Sequence, residues 1–377
     1  MSTVKANAFL DASGGNTATI NAMTPTADSL QGFRNRIING DMRIDQRNAG
    51  ASASADTGGQ YFLDRWTCSI SAGSKFTVQR SSTSATGFSN SMLITSSTAW
   101  SIGVSDYATM NQYIEGFNAA DLAWGTANAK TITLSFWVRS SVTGTLAGVI
   151  TNQITSSAAT RSYPFTYTIS SANTFEQKTV TIAGDTSGTW GSSNAGGIAV
   201  DFSLAAGSST TGTAGAWAGS NYRGATGQTN ILATNGATFY ITGVQLEVGS
   251  VATPFERRDY GRELIMCQRY YWKYTRTTNS VFGVFFPSNW YNGDGDGVLR
   301  LPVTMRSTPT ASFEAAANYA FHQRGLSSGA LSSISLSQGD VDAVQISTAS
   351  ATAGATNYAQ IYANASTSVS MAFSSEL

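Results

Sequence analysis

The sequence has 377 residues, with 22 Lys and Arg against 22 Asp and Glu, so its formal charge at neutral pH is zero. That balance gives no long-range attraction for nucleic acid or an anionic bilayer, and no apolar run is long enough to span one, so neither nucleic-acid binding nor membrane insertion is expected. Only 12% of residues are charged while Gly alone numbers 37, a composition that suits close-packed β-structure with many turns.

Met1-Ser2-Thr3-Val4-Lys5 has no apolar stretch behind a basic start, so a secretion signal is not expected. Residues 1–31 are mostly small and polar, with Phe9 and Leu10 standing out as an adjacent apolar pair, and cannot build a core of their own. A terminal segment of this kind orders only when tied down. Residues 32–256 carry strand signals at 36–44, 61–70, 76–80, 91–95, 110–114, 131–138, 180–182, 198–204 and 238–248, separated by turn-rich stretches. Short strands without paired helices predict a mainly β fold, a jelly-roll β-sandwich. In the last of them Phe239, Ile241, Val244, Leu246 and Val248 alternate with polar or small residues except for a slip at Gly243, which predicts a bulge. Trp66 and Trp137 lie in strand patterns and are assigned to the interior, as is Trp272. Two long loops of low complexity, 184–197 and 205–230, interrupt the domain.

Pro254 holds Thr253 extended, and residues 259–272 then place Leu264, Ile265, Gln268 and Tyr271 at helical spacing behind Asp259 as a cap. One short junction helix within 257–272 is therefore expected. Beyond it, strand patterns at 281–286, 298–303, 310–313, 345–346, 359–362 and 369–373 predict a smaller C-terminal β-sandwich over 273–377. Neither a heptad nor a collagen period is present, so any trimer must come from globular packing or from the terminal segments.

The residue inventory argues against catalysis. The single histidine, His322, has no Gly-x-Ser-x-Gly elbow to serve, and one histidine with two distant cysteines, Cys68 and Cys267, cannot supply the usual zinc ligands. The two cysteines are expected to be reduced and buried. Asn292, Asp294 and Asp296 reproduce the first half of a calcium loop, but Val303 stands where a bidentate Glu is required, and a hairpin turn is the simpler expectation. No cofactor or metal is expected. Glycoside hydrolysis needs only two carboxylates and stays open on composition alone. The aromatics in loop-like settings, Trp190, Trp217, Tyr222, Trp290 and Tyr291, are candidate stacking platforms for a sugar face, with Trp217, Tyr222, Trp290 and Tyr291 the chosen ligand-binding set.

One resemblance joins these pieces. The run from Phe239 to Glu256 followed by a helix ending in Cys267-Gln268-Arg269-Tyr270-Tyr271 resembles a junction in phage and prophage tail-fibre proteins. Asn39-Gly40-Asp41-Met42 with Gln46-Arg47, Leu63-Asp64-Arg65-Trp66 and Thr133-Leu134-Ser135-Phe136-Trp137-Val138-Arg139 stand in the order that family has them, over residues 32–310. The resemblance implies a receptor-binding fibre whose jelly roll is similar to carbohydrate-binding modules. It further implies a homotrimer that is a virion component assembled in the host cytoplasm. The segment 1–31, with Phe9 and Leu10, would attach to other tail or baseplate proteins, and host surface polysaccharide or lipopolysaccharide would be the receptor. A polysaccharide-degrading tail spike and a purely structural collar or capsid fibre are the alternatives.

Overall fold

The computed structural model describes residues 34–152, 160–276, 281–286, 294–322, 329–349, 359–363 and 368–377. The chain forms two compact units. The first takes the chain up to Arg43 and Gly50–Arg257, the second Ile44–Ala49 and Arg258–Leu377.

The strands of the first unit are β1 (Ala53–Ser54), β2 (Thr67–Ile70), β3 (Phe76–Ser81), β4 (Ser91–Ser96), β5 (Tyr107–Glu115), β6 (Ile132–Ser140), β7 (Gly144–Thr151), β8 (Ser162–Ile169), β9 (Glu176–Ile182), β10 (Gly196–Ala206), β11 (Thr211–Gly212), β12 (Gly224–Ala225) and β13 (Thr238–Val248). Eleven of them build two antiparallel sheets in a jelly-roll-like arrangement, one of six strands in the order β1-β3-β4-β13-β6-β9 and one of five in the order β2-β5-β10-β7-β8, while β11 and β12 form a short parallel pair. Period-two alternation turns Val78, Ile94, Phe136, Val138, Phe239 and Ile241 of the larger sheet, and Met110, Ile150, Phe165 and Phe202 of the smaller, into one core. There Phe136 meets Phe202 and Tyr167, each with ring centroids 5.0 Å apart. Each such side chain contributes about 1.5–3 kcal/mol through burial.

The parity that buries Phe136 turns its neighbours outward. Trp137, expected in the interior, lies half-buried on the outer face of the six-stranded sheet.

The expected strand at 36–44 is absent, although its residues are tightly held. The Asn35 side chain accepts from Ile37 N and Leu246 N and donates to Val244 O, standing in for a strand partner of β13. The Gln112 amide does the same for both backbone groups of Ile38. Trp66 Nε1 donates to Asn39 O, and Asn39 Nδ2 to Asp64 O. The expected bulge is present, with a register shift between Thr242 and Gln245 and Gly243 at φ 60°. Val244 N reaches Gly40 O at 2.9 Å, and a Cβ on Gly40 would sit 2.2 Å from Val244 O. The Asn39-Gly40 and Gly243-Val244 signatures are thus two halves of one backbone contact that only glycine permits at position 40.

The second unit begins with the helix α1 (Tyr260–Gln268), capped as expected by Asp259 Oδ1 accepting from Arg262 N. Its buried side chains are Glu263 and Cys267, while Ile265 is 54% exposed and Trp272 stands in a strand. Ion pairing reverses the hydrophobic expectation here, because Glu263 is drawn inward by Arg258 at 3.4 Å. Strands β14 (Tyr271–Arg276), β15 (Val281–Phe286), β16 (Asp294–Arg300), β17 (Thr310–Phe313), β18 (Tyr319–His322), β19 (Gly329–Ala330), β20 (Ser333–Gly339), β21 (Ala343–Ala349), β22 (Ala359–Ala363) and β23 (Val369–Ser374) follow. They form small sheets ordered β14-β23-β17, β15-β22-β18-β19 and β16-β21-β20. Tyr319, Ile346, Met371 and Phe373 centre their core, with Trp272 half-buried against it.

Candidate functional site

Three loops of the first unit bring three tryptophans together. Trp124 follows a short 3-10 turn (Ala120–Leu122) after β5, Trp190 lies between β9 and β10, and Trp217 between β11 and β12. Trp124 packs edge-on against Trp190 at 4.6 Å and Trp217 at 5.3 Å, Trp190 meets Trp217 at 5.4 Å, and Tyr163 of β8 meets Trp217 at 5.2 Å. Every indole N–H is tied to a backbone carbonyl: Trp124 to Lys130, Trp190 to Ser187 and Trp217 to Ala183. The rings are therefore fixed in orientation with their polar edges satisfied, Trp124 buried and Trp190 and Trp217 half-buried.

The loops are braced from below. Arg161 grips Asp185 through two bonds of 2.6 and 2.7 Å, a pairing that raises the guanidinium's pKa. The Asn152 side chain donates to Thr160 Oγ1 and Thr189 O while accepting from the Thr160 and Arg161 amides. Beside the cluster opens a pocket of about 190 Å³, lined by Trp124 and Trp190 with small residues including Ala119, Ala123, Gly191 and Ser192. No acidic or basic side chain lines it. Chemically it offers two indoles, small apolar residues and the hydroxyls of Thr126 and Ser192, a lining suited to a ring that bears both C–H and hydroxyl groups and without a carboxylate or imidazole.

The loop that carries Trp217 continues across the outer face of the five-stranded sheet. Ala218 bridges Ser162 of β8, Thr229 N donates to Thr145 O of β7, and Gln228 Nε2 donates to Ser203 Oγ of β10. Beneath it Thr109, Asn111, Asp201 and Ser203 are all buried. Asn111 and Asp201 stand directly opposite one another on β5 and β10. Neither amide atom of Asn111, neither carboxylate oxygen of Asp201 and not the Thr151 hydroxyl reaches a hydrogen-bond partner. The nearest cation to Asp201 is Arg223 at 3.9 Å, which also lies over the Tyr107 ring. Burial pushes the Asp201 carboxyl up to about 6, with Arg223 opposing. Burial and then the Asp201 charge push the Tyr113 phenol upward, while Ser69 and Arg223 oppose.

Of the residues singled out in the sequence, Trp217 is a half-buried member of the aromatic cluster. Tyr222 packs on its own loop, its ring filling the space that a side chain on Gly212 would take. Trp290, Tyr291 and Asn292 lie outside the described residues, as do Phe9 and Leu10. Asp294 and Asp296 belong to β16 rather than to a turn, and Asp296 accepts from Ser347 Oγ across the ladder. Among the described residues no group of His, Cys, Asp and Glu could hold a metal ion, and both cysteines are buried and outside any disulfide. Trp124 and Tyr163 carried no local signal; only the fold brings them to Trp217.

No protein-family model matches the chain, and no curated protein matches it. Among solved structures the chain is similar to the enzymatically active domain of tailspike protein 4 of bacteriophage CBA120, at 16% identity and a TM-score of 0.31, over 58% of this chain and 22% of that one. The match thus spans under a quarter of the tailspike. It is also similar to a putative sugar binding protein from Bacteroides thetaiotaomicron (13% identity, TM-score 0.32, 57% of this chain and 100% of that one). A family 11 carbohydrate-binding module from Clostridium thermocellum matches at 12% identity and a TM-score of 0.28, over 54% of this chain and 99% of that one.

Proposed function

We propose that the protein is a non-enzymatic fibre or tail-tip component of a phage virion that binds a host surface glycan through the Trp124–Trp190 pocket. What supports this reading is the pocket itself: two orientationally fixed indoles beside small residues around a cavity of about 190 Å³. The absence of carboxylates from the lining favours binding over hydrolysis at this place, since glycoside cleavage needs a flanking pair. A homotrimer, joined to tail or baseplate proteins through residues 1–31, would present three such pockets and gain by avidity what one weak site lacks. Among the described residues no helix is long and apolar enough to cross a membrane.

The test is binding of the purified protein to polysaccharide extracted from the host envelope. Trp190→Ala is expected to weaken binding by about tenfold or more with little change in melting temperature, because Trp190 is half-buried at the rim. Wild-type protein is expected to release no oligosaccharide. Unchanged binding by Trp190→Ala removes the pocket from the reading, and sustained release of oligosaccharide replaces it with the tail-spike alternative.

A further inference from the structure

The outer face of the six-stranded sheet carries a feature that the pocket does not use. The register sets Gln79, Leu93, Tyr240 and Arg139 side by side across β3, β4, β13 and β6, with Phe175 at the edge just before β9. Arg139 lies 4.9 Å from the Tyr240 ring centroid and 5.9 Å from that of Phe175, over the angle between two rings that are 6.1 Å apart. Among the described residues it forms no hydrogen bond and no ion pair, and its Nε is buried without an acceptor. Trp137 occupies the next position along β6 on this face, beside Gly243 and Phe88. Phe88 then leads to Phe255 at 5.2 Å, with the Arg257 guanidinium 4.8 Å from the Phe88 ring. The face is thus a stripe of half-buried aromatic rings bearing two guanidiniums. Among the described residues Glu247, an acid on the same face, stands six residues from Arg139 in register and is held by Thr253, Gln245 and Arg34.

A guanidinium held on aromatic rings keeps its planar fork of N–H donors aimed and costs little further ordering to engage a planar anion. Elsewhere in this unit Arg36 and Arg161 satisfy that fork with Asp121 and Asp185. Arg139 has the geometry and lacks the carboxylate. We propose that this face is a second saccharide site, selective for sugars that bear a carboxylate, in which Arg139 binds the carboxylate and Tyr240, Phe175 and Trp137 supply the stacking surface. The proposal shares with the pocket the premise that the protein binds saccharide, and the test separates the two sites.

Oligosaccharides of galacturonate, glucuronate and N-acetylneuraminate, each with its carboxyl-reduced counterpart, are titrated calorimetrically into wild-type protein, Arg139→Gln, Arg139→Lys and Trp190→Ala. At least one acidic probe is expected to bind wild type on the order of tenfold more tightly than its reduced form, as loss of a charge-assisted contact predicts. Arg139→Gln is expected to erase that preference and Arg139→Lys to keep only part of it, while Trp190→Ala leaves it intact. Melting curves of the Arg139 variants check that the sheet is still folded, and the lysine variant serves if the glutamine variant is not. Equal binding of acidic and reduced probes, binding of none of them, or an unaltered preference in Arg139→Gln overturns the proposal. Self-association abolished by Arg139→Gln, without sugar binding, overturns it in favour of an interface between copies of this chain. If the preference passes through Trp190 instead, this site fails while the pocket stands.

Discussion

The two sheets of the first unit treat their outer faces in opposite ways. On the five-stranded sheet the outward residues are polar, Thr109, Asn111, Asp201 and Ser203, yet they are sealed beneath the 207–230 segment. On the six-stranded sheet the outward row holds Leu93, Tyr240 and Arg139 with Trp137 beside it, all of them half-exposed. Water would favour the reverse assignment. Such a difference shows that cover, and not residue type alone, decides what a sheet face meets: a long loop buries polar groups on one sheet, while among the described residues the rings of Tyr240 and Trp137 stay half-exposed on the other.

The largest expected effect tests the inner and outer sides of β6 against each other. Phe136→Ala should cost about 3–5 kcal/mol, the usual price of emptying a core aromatic site. Trp137→Ala, one residue on, should cost about 1 kcal/mol, because a half-exposed side chain forfeits far less burial. Chemical denaturation measures both, and equal losses would mean that the outer face is as closed as the inner.

A second effect comes from the sealed face. Asp201 has its carboxyl raised from the ordinary 3.8 to about 6 when buried, so the folded state holds the proton more tightly than the unfolded. Its ionisation therefore costs nothing below about pH 4, and stability is lost as pH rises through about 6. Asp201→Asn should accordingly gain on the order of 1–3 kcal/mol at pH 7, with the gain fading below pH 4. A pH series of denaturation midpoints for both proteins reads this, and a gain independent of pH would show that the carboxyl is not the source.

The smallest effect concerns the cover itself. Gln228 donates to Ser203 Oγ at 2.9 Å and accepts from Ala225 N at 3.0 Å. Gln228→Ala should loosen the segment by about 1 kcal/mol, seen as faster hydrogen exchange at 207–230 with little change in global stability. Unchanged exchange would show that the seal is held elsewhere.

Much of this contrast was written in the alternation of the chain. Leu134, Phe136 and Val138 share a parity that Trp137 breaks, so its outward position was available to anyone counting by twos; bulk and strand context pulled the expectation inward instead. The bulge at Gly243 and the Asp259 cap were legible because each depends on neighbours in sequence. β7 and β8 were not, since Ala147, Gly148 and Pro164 interrupt the apolar pattern where the covering segment makes polar alternation unnecessary. The strand expected at 36–44 failed for a related reason: Asn35 and Gln112 side chains supply the ladder bonds that a strand partner would. At the site Trp190 and Trp217 stood out as loop aromatics, whereas Trp124 needed the fold to bring residues about a hundred positions apart into contact.

The way the chain is shared between the two units has a bearing on its synthesis. Ile44–Ala49 leave the ribosome early but belong to the second unit, where Gln46 donates to Tyr271 O and Arg47 pairs with Glu376, 329 residues further on. The two large sheets draw no strand from that stretch, so a chain cut after Arg257 keeps every strand of both sheets while losing Tyr271 and Glu376, the partners of Gln46 and Arg47 that lie furthest along the chain.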